Sequence, residues 1–310
     1  MSAEPATATA VPPGSLHAWW LAIRPRTLTA GLVPVAIGTA LAAADGSWYL
    51  GLALLCTIVA LGVQIATNLV NDYSDFKRGA DADRVGPLRV SQAGLLCPIA
   101  VRNAAVFSLA VTVVAGIPIV MVGGWPFLVA GVFAVAAAVL YTAGPAPLGY
   151  IGLGDLFVFV FFGLVATVGT FAVQTGKITA ASVLLAIASG LFAVALLAVN
   201  NQRDIDTDRA AGKCTLAVRI GRRATKIQIV ACCLGAFALT VVSGALGLTT
   251  PLVIVSLVAI VLCIPAARAV VADDGSHPAA LIPALGSIAR TQLAWGVLVT
   301  GALIVGVFLA

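Results

Sequence analysis

The sequence predicts an all-α, polytopic membrane protein with about nine transmembrane helices around a central cavity. Three observations predict it. Of 310 residues, 61% are hydrophobic and only 9% charged, against roughly 25% charged in an average soluble domain. Apolar runs near the roughly 20 residues needed to cross a bilayer recur along the whole chain. The cations gather in alternate connections between those runs, as they do in oriented membrane proteins.

The opening residues, MSAEPATATAVPPGS, lack a basic stretch and are too polar for a signal peptide,. Residues 1–22 are therefore expected to form a disordered, uncleaved cytoplasmic tail, and 23–310 a single transmembrane domain. Its spans are expected at 27–44, 50–70, 104–122, 125–142, 151–173, 178–199, 226–248, 250–272 and 291–309. Gly (31 residues) and Ala crowd these runs and suit close helix packing, while Pro34, Pro126, Pro265 and Pro283 kink or end helices,.

Charge sets the expected topology. Arg24 and Arg26 precede the first span. Lys77, Arg78, Arg84, Arg89 and Arg102 lie between the second and third, and a group from Arg203 to Lys226 lies between the sixth and seventh. Arg268 and Arg290 flank the last connection, and the opposite side has only Lys177. The basic side, with the N-terminus, is expected to be cytoplasmic. The net charge of +5 reports orientation and affinity for anionic phosphate, and nucleic acid is not an expected partner. Six cysteines follow no metal or disulfide spacing, and free thiols are expected. His17 and His277 are isolated.

One signal recurs across the chain. Asn68 and Asp72 form N-x3-D at the end of the second span, and Asn200 and Asp204 repeat it at the end of the sixth, marking a pseudo-repeat with motifs at 68–81 and 200–213. At about 100° per residue, Asn68, Asp72 and Asp75 fall in an arc of roughly 60° on one helical face, and Asn200, Asp204 and Asp208 in roughly 80°. Asp206 points the other way. A carboxylate in the hydrocarbon core costs something like 2.5–3.5 kcal/mol on insertion scales, so paired rows mark a function. Carboxylate and amide oxygens suit Mg²⁺, which completes its shell with water and substrate phosphates. The neighbouring Lys77, Arg78, Arg84, Arg89, Arg203 and Lys213 add phosphate donors. The expected ligand joins a diphosphate to an apolar body long enough to need a site in the bilayer, and a polyprenyl diphosphate fits.

At this point the residues carry a resemblance. NLVNDYSDFKRGAD followed by RVGPLRVSQAG, and NNQRDIDTDRAAGKCTLAVRIG, resemble the two signatures of the UbiA superfamily of membrane prenyltransferases. Among its branches they are most similar to the 1,4-dihydroxy-2-naphthoate polyprenyltransferases. RPRTL at 24–28, LYTAGP at 140–145 and GYIGLGD at 149–155 extend the likeness over almost the whole chain. The last acidic position of the wider first signature is Gly79 here, with Asp81 two residues on, which leaves open whether Asp75 or Asp81 completes the first metal site.

The resemblance implies transfer of a polyprenyl group from polyprenyl diphosphate to 1,4-dihydroxy-2-naphthoate, with loss of diphosphate and CO₂, giving demethylmenaquinone in a bacterial plasma membrane. It implies Mg²⁺ held by Asp72, Asp75, Asp204 and Asp208, assisted by Asn68 and Asn200. Asn68, Asn71, Asn200, Tyr141 and Tyr150 would contact substrate beside the basic residues. Tyr73, Phe157 and Phe161 join the two tyrosines as candidates to face an allylic cation. Asp155 is expected either as a general base or as a helix cap. Arg24 and Arg26 read as headgroup anchors, with steering of an aromatic carboxylate as the alternative. The stretch from Gly79 to Gly94 reads as a lid. Other acceptors (4-hydroxybenzoate, homogentisate, a tetrapyrrole or a sugar phosphate) and transport of divalent cations or organic phosphates are the competing functions.

Overall fold

The computed structural model describes residues 11–79, 86 and 88–309. Among these the chain is a helical bundle. A short α1 (Leu16–Ile23) leads into α2 (Pro25–Ala44), α3 (Leu50–Arg78), α4 (Pro98–Gly123) and α5 (Trp125–Leu140). Next come α6 (Gly154–Thr175), α7 (Ala180–Arg203), the short α8 (Ile205–Ala210), α9 (Leu216–Ala245), α10 (Pro251–Ala272) and α11 (Pro278–Leu309). Eight of these are long and apolar enough to cross a membrane, and α5 is a shorter apolar helix.

Local chemistry explains the boundaries. The Ser15 side chain caps α1 by accepting from the Ala18 amide at 3.2 Å, and Thr179 and Ser182 form a reciprocal capping box at the start of α7,. Gly79, at φ 68°, closes α3 by returning its amide to the Asp75 and Phe76 carbonyls,. In α6, a π-helical stretch at Val160–Val165 interrupts the α ladder.

The bundle is inverted relative to a soluble protein. Met121, Phe107, Ile178 and Val297 are exposed, while the interior is built largely from Ala, Gly, Ser and Thr. Small interior residues let helices approach where lipid tails remove the hydrophobic drive for association. A Cβ on Gly163 would lie 2.6 Å from Gly190 Cα, so α6 and α7 touch backbone to backbone. α7 is the central helix: 72% of its apolar window is buried, against 22% for α3 and α4. It packs on α9 in the second half of the bundle as α3 packs on α4 in the first. Phe192 on α7 meets Phe237 edge-on at 5.4 Å and Trp295 at 5.0 Å, and the Trp295 indole donates to Thr240 Oγ1 at 3.0 Å.

Candidate active site

Both polar motifs end helices at the same end of the bundle, and the loop at 141–153 joins them. Arg78 donates to the carbonyls of Thr142 and Gly144, and the Thr142 hydroxyl donates to Asn71 Oδ1. On the other side, the Cys214 amide donates to Tyr150 O at 2.8 Å and Arg219 Nη2 to Ile151 O at 2.9 Å. The glycines of GYIGLGD allow this closeness. Gly152 has φ 79°, and a Cβ there would meet Arg219 Nε at 2.8 Å; a Cβ on Gly154 would meet the Tyr141 hydroxyl at 2.8 Å.

Two contiguous chambers result. The polar one is lined by Asp75, Arg89, Tyr150, Asp204, Asp208 and Lys213, together with Asn201, Thr207 and Thr215. The apolar one runs among Val63, Ala134, Phe157, Phe161, Phe162 and Leu196. Arg24, Asn71, Tyr141, Leu197 and Asn200 line both and mark the junction.

Asp75 is the electrostatic centre. It is 2% exposed and its carboxylate accepts from Arg89 Nη2 at 3.1 Å and the Tyr150 hydroxyl at 2.9 Å. Lys213 Nζ lies 3.5 Å from Asp75 and 4.0 Å from Asp208, so one ammonium bridges the two rows. The same ammonium sits 4.7 Å from the centre of the Tyr150 ring, with the Arg78 guanidinium at 5.3 Å. Burial, then the charge and hydrogen bond of Asp75, push the Tyr150 hydroxyl above the ordinary tyrosine range, so it is a donor throughout the physiological range.

Several expected site residues occupy other places. Asp72, 2% exposed, accepts from the Val90 amide at 3.1 Å and the Ser91 amide at 3.0 Å and lines neither chamber. It anchors the turn that follows α3. Asn68 lines the apolar chamber, with its amide nitrogen donating to Ile23 O at 2.8 Å and Thr27 Oγ1 at 3.0 Å. Arg203 is buried and forks onto Asp204 with two contacts of 2.6 Å, so it is held inward beside the carboxylate it was expected to accompany toward phosphate. Lys77 is exposed and lines neither chamber, because α3 carries it round to the outer face. Tyr73 packs in an apolar cluster with Ala18, Leu69 and Val101. Asp155 lines neither chamber: it accepts from Gln228 Nε2 at 2.8 Å, and its side chain caps no helix. Asp81 and Arg84 lie outside the described residues, as do 80, 82, 83, 85 and 87 of the expected lid.

The second row also departs from a continuous helix. Asp204, at φ −94° and ψ 8°, ends α7, and Asp208 follows on α8. Asp206 is exposed and bonds Arg222 Nη2 at 2.9 Å, away from the chamber as expected.

Asn201, Thr207 and Thr215 are wall residues beyond those predicted: Thr207 adjoins the predicted face, seven residues after Asn200, but carries no charge to mark it, and Thr215 lies past the helix. Arg24, expected at the headgroups, is on the wall instead. It is the one non-glycine residue of positive φ (57°) among those described, and it ends α1 and begins α2. Such a backbone costs of order 1–2 kcal/mol, and strain of this kind concentrates at functional sites. Arg26 is exposed.

The donors Asp75, Asp204, Asp208, Asn71 and Asn200 are all oxygen, without His or Cys, which suits a hard cation. Among the described residues no three acidic, Cys or His side chains converge tightly enough to hold a metal by themselves. A cation held here would share its shell with water and substrate oxygens, as Mg²⁺ commonly does.

Comparison with known proteins agrees with this architecture. The profile of the UbiA prenyltransferase family matches residues 31–288. The chain is 41% identical over 293 residues to a 1,4-dihydroxy-2-naphthoate octaprenyltransferase of Mycobacterium tuberculosis (strain ATCC 25618 / H37Rv), covering 94% of this chain and 98% of that one. It is 32% identical over 290 residues to the protein of the same name from Bacillus subtilis (strain 168), covering 93% of each. Among solved structures, a UbiA homolog from Archaeoglobus fulgidus bound to GPP and Mg²⁺ superposes with TM-score 0.63 at 17% identity, covering 92% of this chain and 99% of that one. A UbiA homolog from Aeropyrum pernix K1 gives 0.61 at 18% identity, covering 90% and 97%. The chain belongs to the UbiA prenyltransferase family.

Proposed function

We propose that this protein transfers a polyprenyl group from polyprenyl diphosphate to 1,4-dihydroxy-2-naphthoate, releasing diphosphate and CO₂ and forming demethylmenaquinol, the reduced form of demethylmenaquinone. The reading is carried by one observation: an apolar chamber joined to a charged one, in a chain that matches a naphthoate octaprenyltransferase over nearly its full length. The diphosphate would sit in the polar chamber with Arg89 and Lys213 as its donors. The prenyl body would lie among Phe157, Phe161 and Leu196.

The proposed ligands for Mg²⁺ are Asp75, Asp204 and Asp208, with Asn71 and Asn200 nearby. Mg²⁺ bound there would neutralise charge on the departing diphosphate. The protein's own contribution is placement. Arg89 and Lys213 leave Asp75 for the diphosphate, and Tyr150 keeps its hydroxyl on the Asp75 carboxylate. The faces of Tyr141, Phe157 and Phe161 shield the allylic cation from water and stabilise its charge. Arg24, at the junction, offers a guanidinium to the carboxylate of the acceptor. Asn68 and Asp72 hold the frame, by tying α3 to α1 and α2 and to the turn at 90–91. Asp155 acts from behind the wall rather than as the base.

The polar chamber opens at the end of the bundle where the cations cluster, and we place that end, with the N-terminus, in the cytoplasm. At the other end Lys177 is paired with Asp45 at 3.0 Å.

Purified protein in nanodiscs, given farnesyl diphosphate, Mg²⁺ and either 1,4-dihydroxy-2-naphthoate or 4-hydroxybenzoate, tests this. Prenylated, decarboxylated product is expected from the naphthoate alone. Product from 4-hydroxybenzoate alone would overturn the acceptor, and no diphosphate release with any acceptor would overturn the reaction.

A further inference from the structure

The polar face of α3 continues one turn deeper than its acidic row. Gln64 stands four residues before Asn68, on the same helical face, at the midpoint of Leu50–Arg78. Its side chain is 7% exposed and lines the apolar chamber. Among the described residues its amide has no hydrogen-bond partner, although it carries two N–H donors and a carbonyl acceptor. The other buried glutamines each make at least one hydrogen bond, although Gln202 Oε1 and Gln292 Nε2 have no partner. Gln174 accepts from the Tyr49 amide at 3.0 Å, Gln202 donates to Asp273 at 2.8 Å, and Gln292 accepts from Thr29 at 3.3 Å. Thr67, the next polar residue on the same wall, uses its hydroxyl on Val63 O at 2.8 Å.

An unpaired amide in an apolar wall is costly, and in a membrane span such a group marks a ligand or a neighbouring helix. Here it faces a chamber. The prenyl chain has no polar atom to offer, and the diphosphate is drawn to Arg89 and Lys213 in the other chamber. The aromatic acceptor alone brings hydroxyls to this depth. With its carboxylate toward Arg24, which lines the same chamber, the ring extends among residues that include Gln64 and Phe161.

We propose that the Gln64 amide hydrogen-bonds a ring hydroxyl of the aromatic acceptor and sets acceptor specificity. This rests on the function proposed above. A buried group built to meet a hydroxyl discriminates against a ligand that lacks it, because the group is then left unpaired.

The test compares wild type with Gln64→Met, which keeps length and removes the hydrogen bonds, in nanodiscs with Mg²⁺ and an unreactive thiolodiphosphate donor analogue. Dissociation constants are measured for 1,4-dihydroxy-2-naphthoate and for 2-naphthoate, which lacks both hydroxyls. Gln64→Met should weaken the dihydroxy ligand about tenfold, roughly 1.4 kcal/mol, and leave 2-naphthoate and the donor analogue unchanged. Equal weakening of both ligands, as from a structural role, or no change in either, as from a glutamine that only holds water, would overturn the inference. Should Gln64→Met not fold, Gln64→Asn is measured the same way, and the shorter amide should again penalise the dihydroxy ligand alone. Wild-type turnover with 1,4-dihydroxy-2-naphthoate separates the two claims. If it occurs while the variants bind normally, only this inference fails; if it does not occur, the proposed function fails and takes this inference with it.

Discussion

Replacing Asp75 with Asn separates charge from shape at the centre of the site. The amide keeps the volume and one acceptor oxygen but removes the charge that faces Arg89 at 3.1 Å, Lys213 at 3.5 Å and the Tyr150 hydroxyl at 2.9 Å. Hydrogen bonds to a charged group contribute about 1.5–3 kcal/mol each. Lys213 retains Asp208 at 4.0 Å, so the loss of stability should stay at about 1–3 kcal/mol, within what a folded variant tolerates. Activity should fall much further. A preorganised charge removed from a dry site costs about 10²–10³ in turnover, and the Mg²⁺ concentration for half-maximal rate should rise about tenfold or more. The assay is diphosphate release over a magnesium titration, with melting temperature measured on the same preparation. Asp206→Asn is the control, because that exposed carboxylate pairs with Arg222 outside the chamber and such pairs contribute about 0–1 kcal/mol. Turnover of Asp75→Asn within about threefold of wild type, at an unchanged magnesium requirement, would refute the placement of Asp75 at the reacting end.

Three further outcomes follow from the same geometry. Asp72→Ala should release the turn at Val90 and Ser91, seen as faster proteolytic cleavage near residues 88–94, whereas Asp75→Asn should leave that cleavage rate unchanged. Tyr150→Phe should keep the wild-type rate profile between about pH 6 and 9, because the raised hydroxyl does not titrate there; its folded pKa lies above its unfolded value, so the stability it lends is complete below about pH 10 and is lost only at higher pH, and stability measured up to that pH is the check. Gly163→Ala should cost about 1–3 kcal/mol in detergent melts, since its Cβ would meet Gly190 and Ala186 backbone atoms within 2.9 Å, while Gly131→Ala, with nothing within 4 Å, should not destabilise.

The spans were legible because hydrocarbon admits few residue types, and each expected run falls within or overlaps an observed helix. Their ends were less so. α3 continues to Arg78 and α9 starts at Leu216, well before the expected 226, because basic segments beyond the apolar stretch can remain helical in water. The sites divide the same way. Asp75, Asp208, Lys213 and Tyr150 meet as their motifs suggested. The place of Asp72 depends on residues 90–91 folding back against α3, a tertiary event that no helical periodicity encodes. Thr207 reaches the wall as helical spacing allows, seven residues after Asn200, although the helix breaks at Asp204 between them,. Gln64 did carry a readable signal, an amide at the centre of a span, but the acidic rows drew the reading toward the helix end.

Charge balance explains why the two rows can face one another. Asp75, Asp204 and Asp208 line the polar chamber together with Arg24, Arg89 and Lys213, and buried Arg203 forks onto Asp204 from behind, so the cations offset the carboxylates, which do not force each other apart. A diphosphate entering alone would bring more negative charge than those cations leave unmatched, in a medium where charges interact far more strongly than in water. Its arrival is therefore favourable only if positive charge enters with it, which is a reason for a divalent-cation requirement that depends on the sum of the walls and not on any single ligand. The same balance gives Lys213 two roles. Bridging Asp75 and Asp208, it holds the rows at a separation set by one ammonium, and phosphate oxygens competing for it would leave both carboxylates available to a divalent cation.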